Sequence, residues 1–173
     1  MATIKGRVRK FGDNVDTDTI TPASTLHFPI QEIQKYAFGP IFHEFYKTVQ
    51  KNDIIVAGNN FGCGSSREQA TEVVKELGIH FIVCNSMARI YFRNCIALGL
   101  YPILSKEVSR LFNEGDEIEI DIEHGELKNL NTREKVSFKP LSGDLKRILD
   151  GGGILPLLKK ITEGADILHT QTQ

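Results

Sequence analysis

Residues 58–70, which read GNNFGCGSSREQA, decide the fold of this chain. Before them, residues 53–57 read DIIVA, a short apolar run that predicts a buried strand. After them, apolar residues recur at helical spacing as far as Leu77, and Gly78 is a plausible stop for that helix. A strand, a glycine loop and a helix in this order present free backbone N–H groups and the positive end of a helix dipole. The stretch therefore predicts a binding site for a carboxylate or a phosphate.

The loop offers chemical groups that suit a carboxylate better than a nucleotide phosphate. A phosphate loop needs a lysine after its last glycine, and no lysine follows Gly62 or Gly64. The loop instead carries two hydroxyls, those of Ser65 and Ser66. It also carries the guanidinium of Arg67, which can grip a carboxylate through two parallel hydrogen bonds.

A plainer interpretation of the same residues is an ordinary helix start. Ser65 is a candidate N-cap, and Glu68, three residues later, would complete a capping box, leaving Arg67 as a solvated surface residue. The glycines at positions 58, 62 and 64 favour a binding site, because glycine allows a ligand to approach closely and a cap alone does not need three of them.

Three motifs resemble the signatures of the mobile "swivel" domain of the aconitase superfamily. They are GNNFGCGSSRE at residues 58–68, NVDTDTITPA at residues 14–23 and NSMARIYFRN at residues 85–94. Their order and the chain length resemble the separate small subunits of 3-isopropylmalate dehydratases and their homoaconitase-like relatives, over about residues 4–160. The resemblance implies an α/β fold of the swivel β/β/α type, with a mainly parallel central sheet flanked by helices and an antiparallel β meander.

The resemblance also implies an activity. The chain would be the small subunit of a two-subunit hydro-lyase that interconverts 2- and 3-isopropylmalate through an alkene, in leucine biosynthesis. Ser65 would be the base, Arg67 would bind a substrate carboxylate, and Ser66 with loop N–H groups such as that of Gly64 would help to hold charge. The alternatives are a homoaconitate hydratase or another alkylmalate dehydratase and, from a different class, a stand-alone module that binds carboxylates or phosphates.

The second motif is implied to lie at the catalytic cleft, with Asp18 and Thr21 as supporting groups. In this superfamily the loop after it reads the substituent of the substrate, and here it consists of Ser24, Thr25, Leu26, His27 and Phe28. The corresponding dehydratase loop tends to resemble R-Y-L followed by polar residues, and that of aconitase carries an arginine. This loop contains neither tyrosine nor arginine. Leu26 and Phe28 form either a patch for an alkyl group or core anchors, so the loop leaves the substrate open.

The cysteines do not predict a metal site. Cys63, Cys84 and Cys95 have spacings that match no common zinc or iron–sulfur pattern, and their odd number argues against a disulfide framework. Cys84 and Cys95 lie in apolar runs and are predicted to be core residues, and Cys63 is predicted to be a small loop residue.

Half of an active site implies a partner. Removal of a weakly acidic C–H proton with loss of hydroxide needs an electrophile as well as a base, and the candidate residues supply only the base and the anion site. The resemblance implies a large subunit that carries a 4Fe-4S cluster, while this chain binds no cofactor or metal. The small-molecule substrate would be an alkylmalate.

Composition agrees with a single domain. A chain of 173 residues with 40% hydrophobic and 25% charged residues predicts one domain, over residues 1–164, and a tail over residues 165–173. The net charge of −1 gives no general electrostatic case for nucleic acid or membranes. The start lacks the apolar segment of a signal peptide, and no apolar run approaches the roughly 18 residues that span a bilayer, so a cytoplasmic protein is expected.

The rest of the chain predicts further strands and helices around the central unit. Residues 4–8, 80–84 and 101–104 predict strands of a parallel sheet, and residues 117–122 and 136–138 predict the meander. Helical spacing occurs at residues 30–37, 41–49, 87–98, 108–113, 141–149 and 154–161. In the helix over residues 87–98, Ile90 is predicted to be buried, and Arg89 and Arg93 share a face that points either to the anion site or to solvent.

Overall fold

The computed structural model describes residues 3–170, with side chains described as far as residue 163. The strands of this part of the chain form one sheet. In chain order they are β1 (Ile4–Lys10), β2 (Ile54–Ala57), β3 (Phe81–Cys84), β4 (Tyr101–Leu104), β5 (Glu117–Asp121), β6 (Glu126–Asn129) and β7 (Lys135–Ser137).

The sheet has a parallel half and an antiparallel half. Its strand order is β4-β3-β2-β1-β5-β6-β7, and the first four strands in this order run parallel. From β1 onward through β5, β6 and β7 each neighbouring pair is antiparallel. The predicted parallel sheet with an antiparallel meander is therefore confirmed, and β1 joins the two halves.

Eight helices connect and cover the strands of the described chain. They are α1 (Thr17–Ile20), α2 (Ile30–Ile33), α3 (Phe45–Thr48), α4 (Gln69–Glu76), α5 (Arg89–Leu98), α6 (Val108–Leu111), α7 (Gly143–Asp150) and α8 (Ile154–Thr170). The helices predicted over residues 30–37 and 41–49 are broken into shorter pieces. Residues 30–37 form α2 followed by a 3-10 helix over Gln34–Tyr36. Residues 41–49 are interrupted at Glu44, whose left-handed backbone conformation, with φ of 52°, an α-helix does not tolerate. Of the predicted tail, residues 165–170 lie in α8, and residues 171–173 lie outside the described residues.

The core has one layer on each face of the parallel half. Because side chains alternate along a strand, Ile55 and Ala57 of β2 face one layer, and Ile54 and Val56 face the other. Both faces of β2 are buried, which explains its continuous apolar sequence. Cys84 and Cys95 are buried in the first layer, as predicted, and burial raises the pKa of the Cys84 thiol to about 12.

A buried charge cluster lies at the amino end of β2. The Asp53 carboxylate accepts hydrogen bonds from Arg7 Nη2 (2.7 Å) and from Arg9 Nη1 (3.3 Å). The hydrogen bond to Asp53 raises the pKa of Arg7. The Arg9 guanidinium also lies over the rings of Phe42 and Phe45 and bonds to Glu114 (2.8 Å).

None of the helices described here is both long and apolar enough to cross a membrane.

Candidate active site at the carboxyl edge of the sheet

The three sequence motifs meet at the carboxyl edge of the parallel strands. Residues 58–67 leave β2 and run between the segment that follows β1 and the segment that follows β3. On one side, the Gly62 N–H donates to the carbonyl of Val15 (2.7 Å). On the other side, the Phe61 N–H donates to the carbonyl of Ser86 (3.0 Å). The glycine loop is therefore held by backbone hydrogen bonds from both neighbours, at the edge where parallel sheets present their ligand sites.

Glycine is required where the loop crosses α5. Gly62 has a φ of +73°, and a Cβ at this position would lie 2.2 Å from Cγ of Tyr91. Tyr91 cannot move away easily, because it is buried, packs edge-to-face on Phe61 at 5.4 Å and donates its hydroxyl proton to the Ala70 carbonyl (3.1 Å). The close approach fixes the path of the loop ahead of the two serines.

Four polar side chains converge where the loop leaves this contact. Arg67 Nε donates to Ser65 Oγ (2.5 Å), and Arg67 Nη2 donates to Asp18 Oδ1 (2.7 Å). The Thr17 hydroxyl lies between them, 3.2 Å from Ser65 Oγ and 3.3 Å from Arg67 Nη2. The guanidinium is thus oriented by an acid and a hydroxyl, and one of its N–H groups points at the oxygen of the candidate base.

The capping box predicted for Ser65 and Glu68 is wrong. The helix α4 begins at Gln69, its N-cap position is Glu68, and no side chain caps it. Ser65 lies three residues before that position, and its hydroxyl is engaged by Thr17 and Arg67 instead. Thr17 of α1, which is distant in the chain, and Arg67, two residues after Ser65, therefore replace the local helix start that the spacing suggested.

The Ser65 side of this cluster opens onto a cavity of about 510 Å³. Gly64 and Ser65 form one wall, and the first turns of α5 supply Arg89, Ile90 and Arg93. Both arginines line the space beside Ser65 and both are exposed to solvent, so whether they face a bound anion stays a prediction. Ile90 was predicted to be buried, but its side chain is 51% exposed and lines the cavity. The cavity combines an alkyl side chain with two cationic ones.

The start of α1 is fixed by Asp16. Its carboxylate accepts a hydrogen bond from the Thr19 N–H (2.7 Å), which makes it the N-cap of α1. Hydrogen bonding with Thr19, assisted by the charge of Arg67, lowers the pKa of Asp16 below its ordinary value. The cap holds Thr17 and Asp18 in place beside Arg67.

Ser66 and Thr21 were predicted to assist, and they do not join the cluster. Ser66 is exposed, and its hydroxyl has no hydrogen-bond partner among the described residues. Thr21 is buried, and its hydroxyl has no partner within the same part of the chain. Their predicted roles stay predictions.

The loop of residues 24–28 lies outside the wall of the Ser65 cavity. Thr25 is buried and bonds to the Pro22 carbonyl (2.7 Å), and Leu26 is half-buried. Phe28 is 37% exposed, lies 4.0 Å from the His27 ring and stacks on Tyr36 at 6.1 Å, while Ser24 is exposed. Whether these side chains read a substrate stays a prediction.

Thr17 is the residue of the cluster that the sequence interpretation missed. It lies in the second motif between Asp16 and Asp18, and the prediction for that motif named only Asp18 and Thr21. The signal that could have found it is its place directly after Asp16, since the first residue of a capped helix has a fixed orientation.

The side chains that the structure describes do not fit an iron–sulfur cluster. Within the described side chains, no three of His, Cys, Asp and Glu come together as a metal site. A cluster needs thiolate ligands, and burial raises the thiol pKa of both Cys84 and Cys95. Cys63 alone is partly exposed, in the glycine loop.

Comparison with known proteins identifies the family. The model of the aconitase C-terminal domain matches residues 8–108, which include all three motifs. The chain belongs to the aconitase C-terminal domain family. A crystal structure of 3-isopropylmalate dehydratase (LeuD) from Methanocaldococcus jannaschii superposes with a TM-score of 0.88 and 38% identity, and the match covers 99% of this chain and 100% of that chain.

Curated members of the family are similar to this chain over almost their whole length. The 3-isopropylmalate dehydratase small subunit 1 of Thermotoga maritima is 48% identical over 91% of this chain and 95% of its own length. The isopropylmalate/citramalate isomerase small subunit of Methanocaldococcus jannaschii is 47% identical, over 91% and 94%. The methanogen homoaconitase small subunit of Methanothermobacter thermautotrophicus is 43% identical, over 93% and 94%.

Proposed function

We propose that this chain is the small subunit of a two-subunit hydro-lyase that interconverts 2- and 3-isopropylmalate by dehydration and rehydration. The observation that carries the proposal is the arrangement of Ser65 and Arg67. The serine oxygen lies at 2.5 Å from Arg67 Nε and faces a cavity of about 510 Å³. The names of family members at 40% identity or more support the same reaction type.

Ser65 is the base in this proposal. In the dehydration direction its oxygen takes the proton from the substrate carbon, the C–H electron pair becomes the second bond of the alkene, and hydroxide leaves the neighbouring carbon. The guanidinium N–H that points at Ser65 Oγ stabilises the negative charge that the base carries before it takes the proton. Addition of water to the alkene at the other carbon then gives the isomer.

Arg67 has a second task, which is to bind a substrate carboxylate. Its side chain is 18% exposed and its partner Asp18 is 63% exposed, so an incoming carboxylate can compete with Asp18 for the same guanidinium. Arginine suits this exchange, because its planar fork keeps a second donor on Ser65 while it changes partners. Arg89 and Arg93 supply further positive charge at the cavity that Ser65 lines.

The partner in this proposal is a larger chain that completes the site. A 4Fe-4S cluster on that chain would supply the Lewis acid that assists departure of hydroxide. The support for placing the cluster there is the poor fit of this chain's own cysteines, together with the words "small subunit" in the names of its relatives.

The substrate needs a direct test. Relatives between 43% and 48% identical are named for isopropylmalate, for isopropylmalate and citramalate, and for homoaconitase, so overall similarity does not choose among them. We propose isopropylmalate because the cavity wall beside Ser65 carries the exposed alkyl side chain of Ile90. Homoaconitate hydration is the second candidate.

The test is an assay of the chain co-purified with its larger subunit, under anaerobic conditions, against 2-isopropylmalate, citramalate and homoaconitate. We expect Ser65→Ala to lower kcat by roughly 10²–10⁴ with little change in KM, the usual effect of removing a positioned acid–base group. The matched control is Ser137→Ala on β7, at the far edge of the sheet, which should leave kcat unchanged. The chain alone should be inactive.

Two outcomes would contradict the proposal. Near-normal turnover by a folded and assembled Ser65→Ala enzyme would remove Ser65 from the chemistry. Tight binding of carboxylates or phosphate by the isolated chain, with no turnover of any of the three substrates by the assembled pair, would favour a stand-alone binding module.

A further inference from the structure

The buried hydroxyl of Thr17 is the shared partner of both residues proposed to carry the chemistry. Thr17 Oγ1 lies 3.1 Å from the Ser65 backbone nitrogen, 3.3 Å from Arg67 Nη2 and 3.2 Å from Ser65 Oγ. Thr17 is the first residue of α1, and its orientation is fixed by the Asp16 cap and by its own N–H, which donates to the Cys63 carbonyl (2.8 Å).

Counting donors and acceptors fixes the direction of the third contact. A hydroxyl has one proton to donate and two lone pairs to accept. A backbone N–H and a guanidinium can only donate, so Ser65 N–H and Arg67 Nη2 occupy both lone pairs of Thr17 Oγ1. The remaining capacity of the Thr17 hydroxyl is its own proton, and that proton points at Ser65 Oγ.

The same count applied to Ser65 Oγ shows where its own proton must lie. This oxygen accepts from Thr17 Oγ1 and from Arg67 Nε, which uses two of its positions, and its bond to Cβ uses a third. The fourth position holds the serine proton or, after loss of that proton, a free lone pair. It is directed away from Thr17 and Arg67, and Ser65 is one of the residues that line the cavity.

We propose that Thr17 is a positioning residue, which donates its hydroxyl proton to Ser65 Oγ and thereby stabilises the Ser65 alkoxide and aims its free lone pair at the substrate. The proposal rests on the proposed function of Ser65 as the base. In the proton transfer itself the substrate proton moves to Ser65 Oγ, and Thr17 keeps its own proton throughout. Thr17 acts on the proton transfer through Ser65, while its contact with Arg67 Nη2 orients the guanidinium.

The test measures kcat/KM against pH for the complete two-subunit enzyme. Thr17→Val removes the hydroxyl and keeps the branched shape. A hydrogen bond to a charged group is strong enough that its loss should lower kcat about 10–100-fold. Because the lost bond favoured the deprotonated base, the acid limb of the profile should move to higher pH by about one to two units. Thr17→Ser restores the donor and should return both kcat and the profile close to those of the unchanged enzyme.

A merely structural Thr17 makes a different forecast. The loss of packing or of the Ser65 N–H contact would lower the melting temperature and leave the pH profile of the folded enzyme in place. Thr17→Cys covers the case in which Thr17→Val does not fold, because a thiol is similar in size and a weak donor. It should give an intermediate shift, and an unshifted profile in Thr17→Cys or in folded Thr17→Val would overturn the inference.

Ser65→Ala, measured in parallel, separates this inference from the proposed function. If Ser65→Ala is inactive and Thr17→Val has an unshifted profile, the inference fails and the base role of Ser65 stands. If Ser65→Ala turns over normally, both fail. In the double variant Ser65→Ala/Thr17→Val, loss of the Thr17 hydroxyl should lower kcat far less than it does in the enzyme that keeps Ser65, because without the serine oxygen only the contact with Arg67 is lost.

Discussion

Two arginine–aspartate pairs lie at opposite ends of β2, and they differ in how far their side chains are exposed to solvent. At the amino end, Arg9 and Asp53 are 3% and 2% exposed, and at the carboxyl edge, Arg67 and Asp18 are 18% and 63% exposed. The Asp53 carboxylate is enclosed by two guanidiniums and a backbone N–H. The Asp18 carboxylate has one guanidinium and open solvent. The first pair is sealed from solvent, whereas the acid of the second pair is open to it.

The difference shows that a salt bridge near a site cannot be interpreted from its distance alone. Arg67 Nη2 to Asp18 and Arg7 Nη2 to Asp53 are both 2.7 Å, so geometry does not separate them. Burial separates them, because a buried charge without its partner is strongly unfavourable whereas an exposed one is stabilised by water. We therefore expect loss of the first kind of pair to appear in stability and loss of the second kind to appear in activity.

Removing the sealed acid should give the largest change in stability. Asp53→Ala leaves the buried Arg9 without one of its two acids, and breaking such a buried pair typically lowers the free energy of unfolding by about 3–5 kcal/mol. Urea denaturation measures this loss. Turnover per folded enzyme should stay near normal, because Asp53 lies at the end of β2 opposite Ser65.

The matched control for Asp53 is an exposed acid in an ion pair. Glu107 pairs with Arg110 at 3.2 Å, and both side chains are mostly exposed, so Glu107→Ala should change the free energy of unfolding by less than about 1 kcal/mol. If Asp53→Ala is as mild as Glu107→Ala, burial does not distinguish the two ends of β2, and the comparison fails.

Opening the exposed pair should instead change substrate binding. Arg67→Lys keeps the positive charge but cannot hold Ser65 Oγ and a carboxylate at once. We expect KM to rise roughly 10–100-fold, the loss of a charge-assisted hydrogen bond, with a change in unfolding free energy below about 1 kcal/mol. Steady-state kinetics and denaturation of the same preparation measure both quantities. An unchanged KM together with a large loss of stability would place Arg67 with Arg9, as a structural residue.

The parts of the molecule that follow from local sequence were predictable. The continuous apolar run of β2 and the alternation in β5 specify strands on their own, and the glycines at positions 62 and 64 marked the close approach of the loop. Ser65, Arg67 and Asp18 were singled out because three motifs resembled a known domain, and the structure brings them together although Asp18 lies 49 residues from Arg67 in the chain. Their roles stay predictions.

Long-range partners account for what the sequence did not reveal. Ser65 matched a helix cap because the capping box is a local pattern, whereas its real partners are Thr17, 48 residues away, and an arginine that folds back onto it. Ile90 matched a buried stripe because helical spacing does not show which side of a helix borders an open cavity. For Ser65 the contact that local pattern could not show is Thr17, which adjoins the loop only in the folded chain.

The side chains of Leu26 and Phe28, in the loop of residues 24–28, are intermediate in burial between Asp53 and Asp18. Phe28 is 37% exposed and Leu26 is half-buried, so truncation of either side chain should affect stability less than Asp53→Ala does. If the two side chains read the substrate, Leu26→Ala and Phe28→Ala should narrow the preference between isopropylmalate and citramalate by about tenfold. This is the low end of the effect of a methylene-scale pocket change, and it suits a ring that is partly solvated.

Ratios of kcat/KM for the two substrates measure this change in preference, with Tyr36→Phe as the control, since that change keeps the ring stacked on Phe28. If the alanine variants lose stability and keep the same ranking of substrates, Leu26 and Phe28 are core anchors, and discrimination must come from the cavity wall at Ile90.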